Sequence, residues 1–214
     1  MKCLIINFNR LLLPVRLAEW VAQRGVEPVF IDNNSTYPPL LEYYQSCPFK
    51  VLRLFSNYGH TVLWQYPVLE TLNIKERFIY TDPDLDLSGV PDDFLQVMNE
   101  GLNRYPNYSK CGLSLEINDL PDTEEGNFIR TVPEAPYWNR PLDDMYFHAD
   151  TDTTFALYQF PIGQYGYSAI RTNRPYTCKH IPWYYTDFDS LTDDERYYYE
   201  TANASCSHKA RFMK

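Results

Sequence analysis

An apolar run that ends in three closely spaced aspartates constrains the fold of this chain more than any other feature. Residues 78–86 read FIYTDPDLD, which predicts a buried strand followed at once by acidic side chains. Alternate residues of an extended chain face the same side, so Asp82, Asp84 and Asp86 converge if the backbone stays extended. Such a cluster suits Mg²⁺ or Mn²⁺, which bind through one or two carboxylates plus substrate phosphates. A polar turn after a buried strand explains the same residues equally well.

Composition narrows the possibilities for the whole chain. Its 214 residues are 44% apolar, which is enough to bury the core of one domain. The net charge is −9 and the basic residues are scattered, so a surface suited to a polynucleotide backbone is not indicated. No window approaches the roughly 20 apolar residues of a membrane span, and residues 1–7 turn polar too soon for a signal peptide. We therefore expect a cytoplasmic protein with no nucleic-acid partner and no membrane span.

The cysteines indicate neither a disulfide framework nor a zinc site. There are five of them, an odd number, and none shows the C-x-x-C or Cys/His spacing of a metal site. We expect reduced thiols that are mostly buried and that pack as small apolar side chains.

Strand and helix patterns alternate along the first half of the chain. Four short apolar runs are typical of strands: 3–7, 29–32, 51–54 and 78–82. Between them lie amphipathic helical patterns at 13–21, 37–47 and 61–73. This alternation predicts right-handed βαβ units and an α/β fold with a mostly parallel sheet and helices on both faces. Ligands bind such sheets at the carboxyl ends of the strands, where Asn7, Asp32 and the aspartate cluster lie.

The loops at those ends lack the common phosphate-binding motifs. Residues 7–11, NFNRL, contain no glycine, so neither the dinucleotide fingerprint nor the P-loop is present. A nucleotidyltransferase is disfavoured because its Gly-rich opening loop is also missing. A haloacid-dehalogenase phosphatase would carry its acids on the first strand, whereas here they follow the fourth.

Four segments in a defined order carry a resemblance to a known family: NFN at 7–9, IDNNS at 31–35, NYG at 57–59 and TDPD at 81–84. The chain resembles the GT-A class of nucleotide-sugar glycosyltransferases, in which TDPD corresponds to the D-x-D motif. The resemblance is closest to small bacterial and viral members through three further segments: GLSLEI at 112–117, DTTFA at 152–156 and HIPWY at 180–184. Among viral members it is closest to the amino-terminal domain of one that glycosylates a capsid protein.

The resemblance covers essentially the whole chain. It implies a single GT-A domain over residues 1–214, with a nucleotide-sugar-binding half at 1–86 and an acceptor-side half at 87–214. It leaves room for further domains after Lys214, and it implies the host cytoplasm as the location if the protein is viral.

The same resemblance assigns roles on the nucleotide side. Asp32 would hold the uracil or ribose, while the backbone near Phe8 and Asn9 would line the base pocket. Asn57 belongs to a matching segment and is carried over as a nucleotide-binding residue. Arg10 would either reach the diphosphate or cap a helix.

It also assigns a metal site for Mn²⁺ or Mg²⁺. Asp82 would contact the ribose or metal-bound water, and Asp84 would ligate the metal that bridges the diphosphate. Asp86 is either a third ligand or a solvated turn residue. His180 would complete the site, as a carboxyl-terminal histidine does in some GT-A enzymes, or serve a structural role. His60, His148 and His208 have weaker claims as ligands.

Inverting transfer requires a base for the acceptor hydroxyl. Asp152 is the first candidate because the apolar run 155–158 follows it and can hold it rigidly, and Asp150 and Asp119 are its rivals. The alternative for Asp152 is an Asx-turn or N-cap residue whose oxygen accepts backbone N–H groups.

Aromatic residues make up 16% of the chain. Four of them are candidates either for sugar stacking or for ordinary packing: Trp138, Trp183, Tyr184 and Tyr185. Residues 119–140 read as a long irregular loop near the acceptor, typical of a mobile lid. Residues 192–195, TDDE, predict a capping box that opens a terminal helix without a chemical role.

These features together predict a metal-dependent transferase. It would move a hexose or deoxyhexose from a nucleoside-diphosphate sugar, most simply a UDP-sugar, to a carbohydrate or glycoprotein acceptor, with inversion. One alternative is a non-catalytic, metal-dependent domain that binds a nucleotide sugar or a carbohydrate. Another is a metal-dependent phosphohydrolase, which would release phosphate rather than a nucleoside diphosphate.

Overall fold

Strands and helices alternate through the first half of the chain in the computed structural model, which describes residues 1–166 and 168–203. Cys206 and His208 lie outside the described residues. The strands are β1 (Lys2–Asn7), β2 (Glu27–Asp32), β3 (Lys50–Arg53), β4 (Phe78–Thr81), β5 (Leu85–Asp86), β6 (Lys110–Gly112), β7 (Ser114–Leu115), β8 (Tyr146–His148), β9 (Ala156–Tyr158), β10 (Ile170–Thr172) and β11 (Thr177–His180). The α-helices are α1 (Leu12–Gln23), α2 (Pro38–Ser46), α3 (Val62–Gln65), α4 (Val68–Thr71), α5 (Phe94–Arg104), α6 (Glu124–Thr131) and α7 (Asp193–Thr201).

The larger sheet has eight strands in the order β3-β2-β1-β4-β9-β6-β10-β8. Its first four strands are parallel, with β1 paired to β2 on one edge and to β4 on the other. Among the described strands, four of the seven pairings in this sheet are parallel, the fourth joining β10 to β6. The predicted α/β fold with a large, mostly parallel sheet is therefore confirmed.

Helices cover both faces of this sheet, as predicted. Leu17 of α1 and Met98 of α5 pack with Ile5 of β1 in one apolar cluster. Leu69 of α4 packs with Leu4 in a second cluster. Successive strand residues face opposite sides, so β1 contributes to both clusters and reads as an unbroken apolar run.

The helix predicted over 61–73 is wrong as a single element. The chain forms a 3-10 turn at Gly59–Thr61 and then the two short helices α3 and α4. Pro67 separates them, because proline has no N–H to donate to the preceding turn.

The irregular loop predicted over 119–140 is also wrong, because it contains α6 and a 3-10 turn at Ala135–Trp138. Thr123 caps α6, its Oγ1 accepting a hydrogen bond from the Gly126 N–H at 3.0 Å. Two glutamates occupy the first turn, where their negative charge interacts favourably with the positive end of the helix dipole. The polar composition of the segment concealed a well-capped helix.

A second, three-stranded sheet has the order β5-β11-β7. The matching segment 112–117 contributes to two sheets: Gly112 ends β6 of the large sheet, and Ser114–Leu115 form β7 of the small one. In the small sheet His180 lies opposite Leu85, and the Ile181 N–H donates to the Asp84 carbonyl at 3.0 Å. This pairing returns the distant end of the chain to the acidic segment after β4.

The described cysteines are free thiols, as expected: Cys3, Cys47, Cys111 and Cys178. Burial raises the pKa of Cys3, Cys111 and Cys178. Across the described ranges, no helix combines the length and apolar character needed to cross a membrane.

Gly101 marks the closest approach of α5 to the large sheet. A Cβ at this position would lie 2.7 Å from Tyr146 Cε1 and 2.9 Å from Ile170 Cδ1. The Tyr146 ring cannot move aside easily, because it is buried and its hydroxyl donates to the Val97 carbonyl at 2.7 Å. We expect Gly101→Ala to lower the free energy of unfolding by about 1 kcal/mol or more, despite the better helix propensity of alanine.

Urea denaturation followed by circular dichroism measures this loss. Gly89→Ala is the matched control, since nothing lies within 4 Å of the added Cβ. Equal stabilities for the two variants would contradict the close packing of α5.

Candidate functional site

A cleft of about 860 Å³ opens at the carboxyl ends of β1 and β4. It is lined by residues from both halves of the chain. Arg10 follows β1, Asp82 and Asp84 follow β4, His180 ends β11, and Asp152 precedes β9. The parallel pairing of β1 with β4 explains the first part of this convergence, and the small sheet explains the return of His180.

Asp84 lies at the centre of the charged groups in this cleft. Its side chain is nearly buried, and its Oδ2 accepts a hydrogen bond from Arg10 Nη1 at 2.6 Å. His180 Nε2 lies 3.6 Å from the same oxygen. Burial alone would raise the pKa of Asp84, but the Arg10 and His180 charges hold that pKa well below its usual range. Asp84 is therefore ionised across the neutral pH range.

Asp82 is held by the segment that follows Asp152. Both carboxylate oxygens accept from Thr153 Oγ1, at 2.7 and 2.9 Å, and the Asp82 N–H donates to the Thr153 carbonyl at 2.9 Å. Burial and the neighbouring charges of Asp152 and Asp84 raise the pKa of Asp82 to about 8. Crowded carboxylates of this kind indicate a place where a bound cation would relieve repulsion.

The donor set fits a divalent cation that takes part of its coordination from a ligand. Within the described residues, no three His, Cys, Asp or Glu side chains are arranged to hold a metal unaided. However, Asp84 Oδ1 is buried and makes no hydrogen bond to any described residue, while Asp82 and His180 line the same cleft. Mg²⁺ and Mn²⁺ bind through one or two carboxylates together with phosphate oxygens and water. Asp84 Oδ1 is the atom that such a cation would bind first.

Arg10 does not cap a helix, since its side chain bridges two carboxylates. The guanidinium is buried, with Nη1 on Asp84 and with Nε 2.8 Å from Glu195 Oε1. Its Nη2 donates to Glu195 Oε2 at 3.1 Å, and its Cζ lies 3.7 Å from the centroid of the Tyr198 ring. Arg10 also lines the cleft.

The residues predicted for the nucleotide divide into two groups. Phe8 and Asn57 line the cleft, together with Asn33, Gly59 and His60. Sequence analysis did not single out Asn33, although it stands beside Asp32 in a matching segment. The polar edge of this part of the cleft comes from the loops that follow β2 and β3.

Asn9, by contrast, does not reach the cleft. It is fully buried in the left-handed conformation, with φ of 57°. Its Oδ1 accepts from the Thr36 and Tyr37 N–H groups, at 2.6 and 3.0 Å. In this arrangement Asn9 ties the loop after β1 to the loop after β2.

Asp32 is also fully buried behind the cleft wall. Its Oδ2 accepts from the Ser35 N–H and from Arg53 Nε, both at 3.2 Å, and the Tyr44 hydroxyl donates to Oδ1 at 3.4 Å. These hydrogen bonds stabilise the turn after β2. They engage both carboxylate oxygens of Asp32 within the protein.

Asp152 lines the cleft, as expected of a general base, and it also forms the Asx-type contact that was predicted as the alternative role. Its Oδ1 accepts from the Thr154 N–H at 3.3 Å and from Thr154 Oγ1 at 3.1 Å. Loss of hydration would raise the pKa of Asp152, but hydrogen bonds from Thr153 and Thr154 outweigh it and lower that pKa. The carboxylate is therefore ionised at neutral pH, as a general base must be.

The three other candidate aspartates lie in different parts of the structure. Asp150 lines the cleft. Asp119 lies apart from it, in an ion pair with Lys179 and accepting a hydrogen bond from the Tyr184 hydroxyl at 2.6 Å. Asp86 forms a turn, its Oδ1 accepting from the Ser88 N–H at 2.8 Å.

Glu134 and Arg171 form a charged wall of the cleft that sequence analysis missed. Both side chains are nearly buried, and Arg171 Nη1 donates to Glu134 Oε2 at 3.2 Å. Arg171 Nε donates to the Asp150 carbonyl at 2.8 Å and to Thr151 Oγ1 at 2.9 Å, which fixes the segment before Asp152. No local pattern pointed to this pair, because its members lie on a polar loop and in a short strand.

Lys110 supports Asp152 from beneath. It is fully buried, and its Nζ donates to the Asp152 carbonyl at 2.9 Å and to the Tyr158 hydroxyl at 3.2 Å. Burial lowers the pKa of Lys110 to about 8. The Tyr158 hydroxyl donates to the same carbonyl at 3.1 Å, so the backbone of Asp152 is held from two sides.

Of the aromatic candidates, Trp183 lines the cleft and packs edge-on against His180, with ring centroids 4.9 Å apart. Trp138 packs under Arg174, whose Cζ lies 4.0 Å from the ring centroid. His148 accepts or donates a hydrogen bond with the Tyr108 hydroxyl at 2.7 Å.

Comparison with protein-family models gives no match, and no curated protein matches the sequence. The interpretation of the cleft therefore rests on its geometry and chemistry.

Breaking the Glu134–Arg171 pair leaves a nearly buried carboxylate without its cation. We expect Arg171→Met to lower the free energy of unfolding by about 3–5 kcal/mol. Arg104→Met is the control, since the Arg104–Asp143 pair lies at the surface, where solvent screens the charges, and its loss is expected to change stability much less. Urea denaturation measures both losses, and a loss for Arg171→Met no larger than that of the control would contradict the buried-pair assignment.

Proposed function

We propose that this chain is a metal-dependent glycosyltransferase of the GT-A class. It transfers a hexose or deoxyhexose from a nucleoside-diphosphate sugar, most simply a UDP-sugar, to a hydroxyl group of a carbohydrate or glycoprotein acceptor, with inversion. One observation carries the proposal: Asp82, Asp84, His180, Arg10 and Asp152 line a single cleft at the carboxyl ends of the parallel strands.

The proposal uses the donor set described above. Asp84 Oδ1 and the neighbouring Asp82 and His180 side chains would hold Mn²⁺ or Mg²⁺. Such an ion supplies positive charge that stabilises the departing nucleoside diphosphate. Arg10 adds a positive charge beside Asp84, and in this proposal that charge would also attract the diphosphate.

Asp152 acts as the general base in this proposal. Its carboxylate is ionised and faces the cleft, and Arg171, Lys110 and Tyr158 hold its backbone segment in place. It takes the proton of the acceptor hydroxyl as that oxygen attacks the anomeric carbon from the face opposite the leaving group. Rigid placement matters because proton transfer requires hydrogen-bond distance in the reactive complex.

The acceptor would enter beside Trp183 and Tyr137, which line the cleft on the side of Glu134 and Arg171. Aromatic rings suit the apolar C–H faces of sugars, and the charged pair offers groups for hydroxyls. This supports a carbohydrate as the acceptor.

Asp84→Asn tests the cation site. We expect the full chain, incubated with a panel of UDP-sugars and Mn²⁺, to release UDP slowly by hydrolysis or transfer, and the variant to lose this release by about 100-fold or more because the cation loses its main ligand. Liquid chromatography of the nucleotide products measures the rate. Asp86→Asn is the matched control, since Asp86 forms a turn outside the cleft.

Tight binding of a UDP-sugar with no turnover for any acceptor would support the non-catalytic alternative instead. Release of inorganic phosphate would support a phosphohydrolase. The absence of both binding and turnover with every donor tested would overturn the proposal as a whole.

Asp152→Asn tests the base. We expect it to reduce kcat by about 100- to 10,000-fold, because the amide cannot accept the proton, while the donor still binds. Steady-state kinetics give kcat, and thermal shift with UDP and Mn²⁺ reports binding. Asp119→Asn serves as the control because Asp119 lies apart from the cleft; an equal loss of kcat in both variants would exclude Asp152 as the base.

A further inference from the structure

The terminal helix α7 packs against the loop that follows β1. Asp194 is buried, and its Oδ2 accepts from the Leu11 and Leu12 N–H groups, both at 2.8 Å. At the other end of α7, Thr201 Oγ1 accepts from Asn9 Nδ2 at 2.8 Å. The helix is therefore fixed to this loop at both ends.

This docking differs from the sequence prediction for the same segment. A helix is present, but the capping box over 192–195 is wrong, because the Thr192 side chain donates to Asp194 instead of accepting from a helix N–H. The acidic residues of the first turn differ in their exposure to solvent. Asp193 is exposed to solvent, whereas Asp194 and Glu195 are buried against the β1 loop.

Glu195 and Asp84 share the Arg10 guanidinium between them. Glu195 is almost completely buried and faces the edge of the guanidinium formed by Nε and Nη2, at 2.8 and 3.1 Å. Only Nη1 is directed at Asp84, where it reaches Oδ2. A planar guanidinium presents its donors in a fixed fork, so Glu195, by holding the Nε and Nη2 edge, also fixes the orientation in which Nη1 alone reaches Asp84. Asp84 lines the cleft, and its buried Oδ1 is left without a hydrogen bond from any described residue.

We propose that Glu195 is a positioning residue for the cation site: by holding one edge of Arg10, it fixes the guanidinium in the orientation in which Nη1 alone reaches Asp84, and this leaves the other Asp84 oxygen for the cation. This inference rests on the proposed function. It assigns α7 a place in the site, because the residue that sets the geometry of Asp84 comes from the far end of the chain. Tyr198 and Ala202 of the same segment also line the cleft.

The consequence of removing the Glu195 charge follows from the geometry. An arginine that has lost one carboxylate partner tends to bind the other through two parallel hydrogen bonds. In Glu195→Gln, Arg10 is therefore expected to take both oxygens of Asp84 and to compete directly with a cation. In a protein that also carries Arg10→Gln, this competitor is absent.

The test is a titration of the full chain with Mn²⁺ alone, by isothermal titration calorimetry and thermal shift. We expect Glu195→Gln to weaken Mn²⁺ binding by about tenfold or more, and Glu195→Asp to fall between it and the wild type. Arg10→Gln combined with Glu195→Gln is expected to restore Mn²⁺ binding. Asp193→Asn removes the same charge from an exposed site on the same helix and is expected to change nothing.

A crystal structure of Glu195→Gln provides a readout that needs no ligand. It should show Arg10 bound to both Asp84 oxygens, where the wild type shows one. Circular dichroism establishes whether Glu195→Gln is folded. If it is not folded, the same measurements are made on Glu195→Asp.

Wild-type Mn²⁺ affinity in folded Glu195→Gln, or an unchanged Arg10–Asp84 contact in its crystal structure, would overturn the positioning role and leave the proposed function intact. A wild-type chain that binds neither Mn²⁺ nor UDP would overturn the proposed function, and the crystal structure would still decide the role of Glu195.

Discussion

The architecture of the cleft depends on the parallel hydrogen bonding of β1 along both of its edges. Pairing with β2 and β4 sets the carboxyl ends of three strands at one edge of the sheet and buries β1 on both faces. Parallel pairing requires a long crossover for each connection, and helices provide it here. Polar side chains that end these strands, such as Asn7 and Asp32, then hold the surrounding loops: Asn7 Nδ2, for example, donates to the Arg10 carbonyl at 2.8 Å.

Charge compensation determines what this edge can bind. Asp82, Asp84 and Asp152 crowd three carboxyl groups into a partly buried space, where unpaired charges are costly, and this crowding helps to raise the pKa of Asp82 to about 8. Arg10 and His180 lie beside Asp84 and offset its charge. This compensation is local, since the Arg10 and His180 side chains both lie beside the Asp84 carboxylate. The proposed function therefore requires no basic surface on this acidic chain.

Local sequence signals predicted much of the first half of the fold. The strand that delivers Asp82 and Asp84 was predicted because an apolar run and its polar end are properties of adjacent residues. Tertiary context decided where other polar side chains lie. Asn9 and Asp32 stand at the expected strand ends but turn into the protein, because neighbouring loops offer them hydrogen-bond donors. The helix after Thr123 was missed, since its composition resembles that of a loop.

The sequence by itself determined the alternating α/β half and the set of carboxylates that stands at the edge of its sheet, since hydrophobic periodicity and strand termini are encoded locally. Only the tertiary structure decided which distant residues join them. His180 reaches Asp84 through the pairing of β11 with β5, and Glu195 reaches Arg10 through the docking of α7. Such contacts depend on chain topology and on the mutual fit of surfaces, and no local spacing of residue types specifies either.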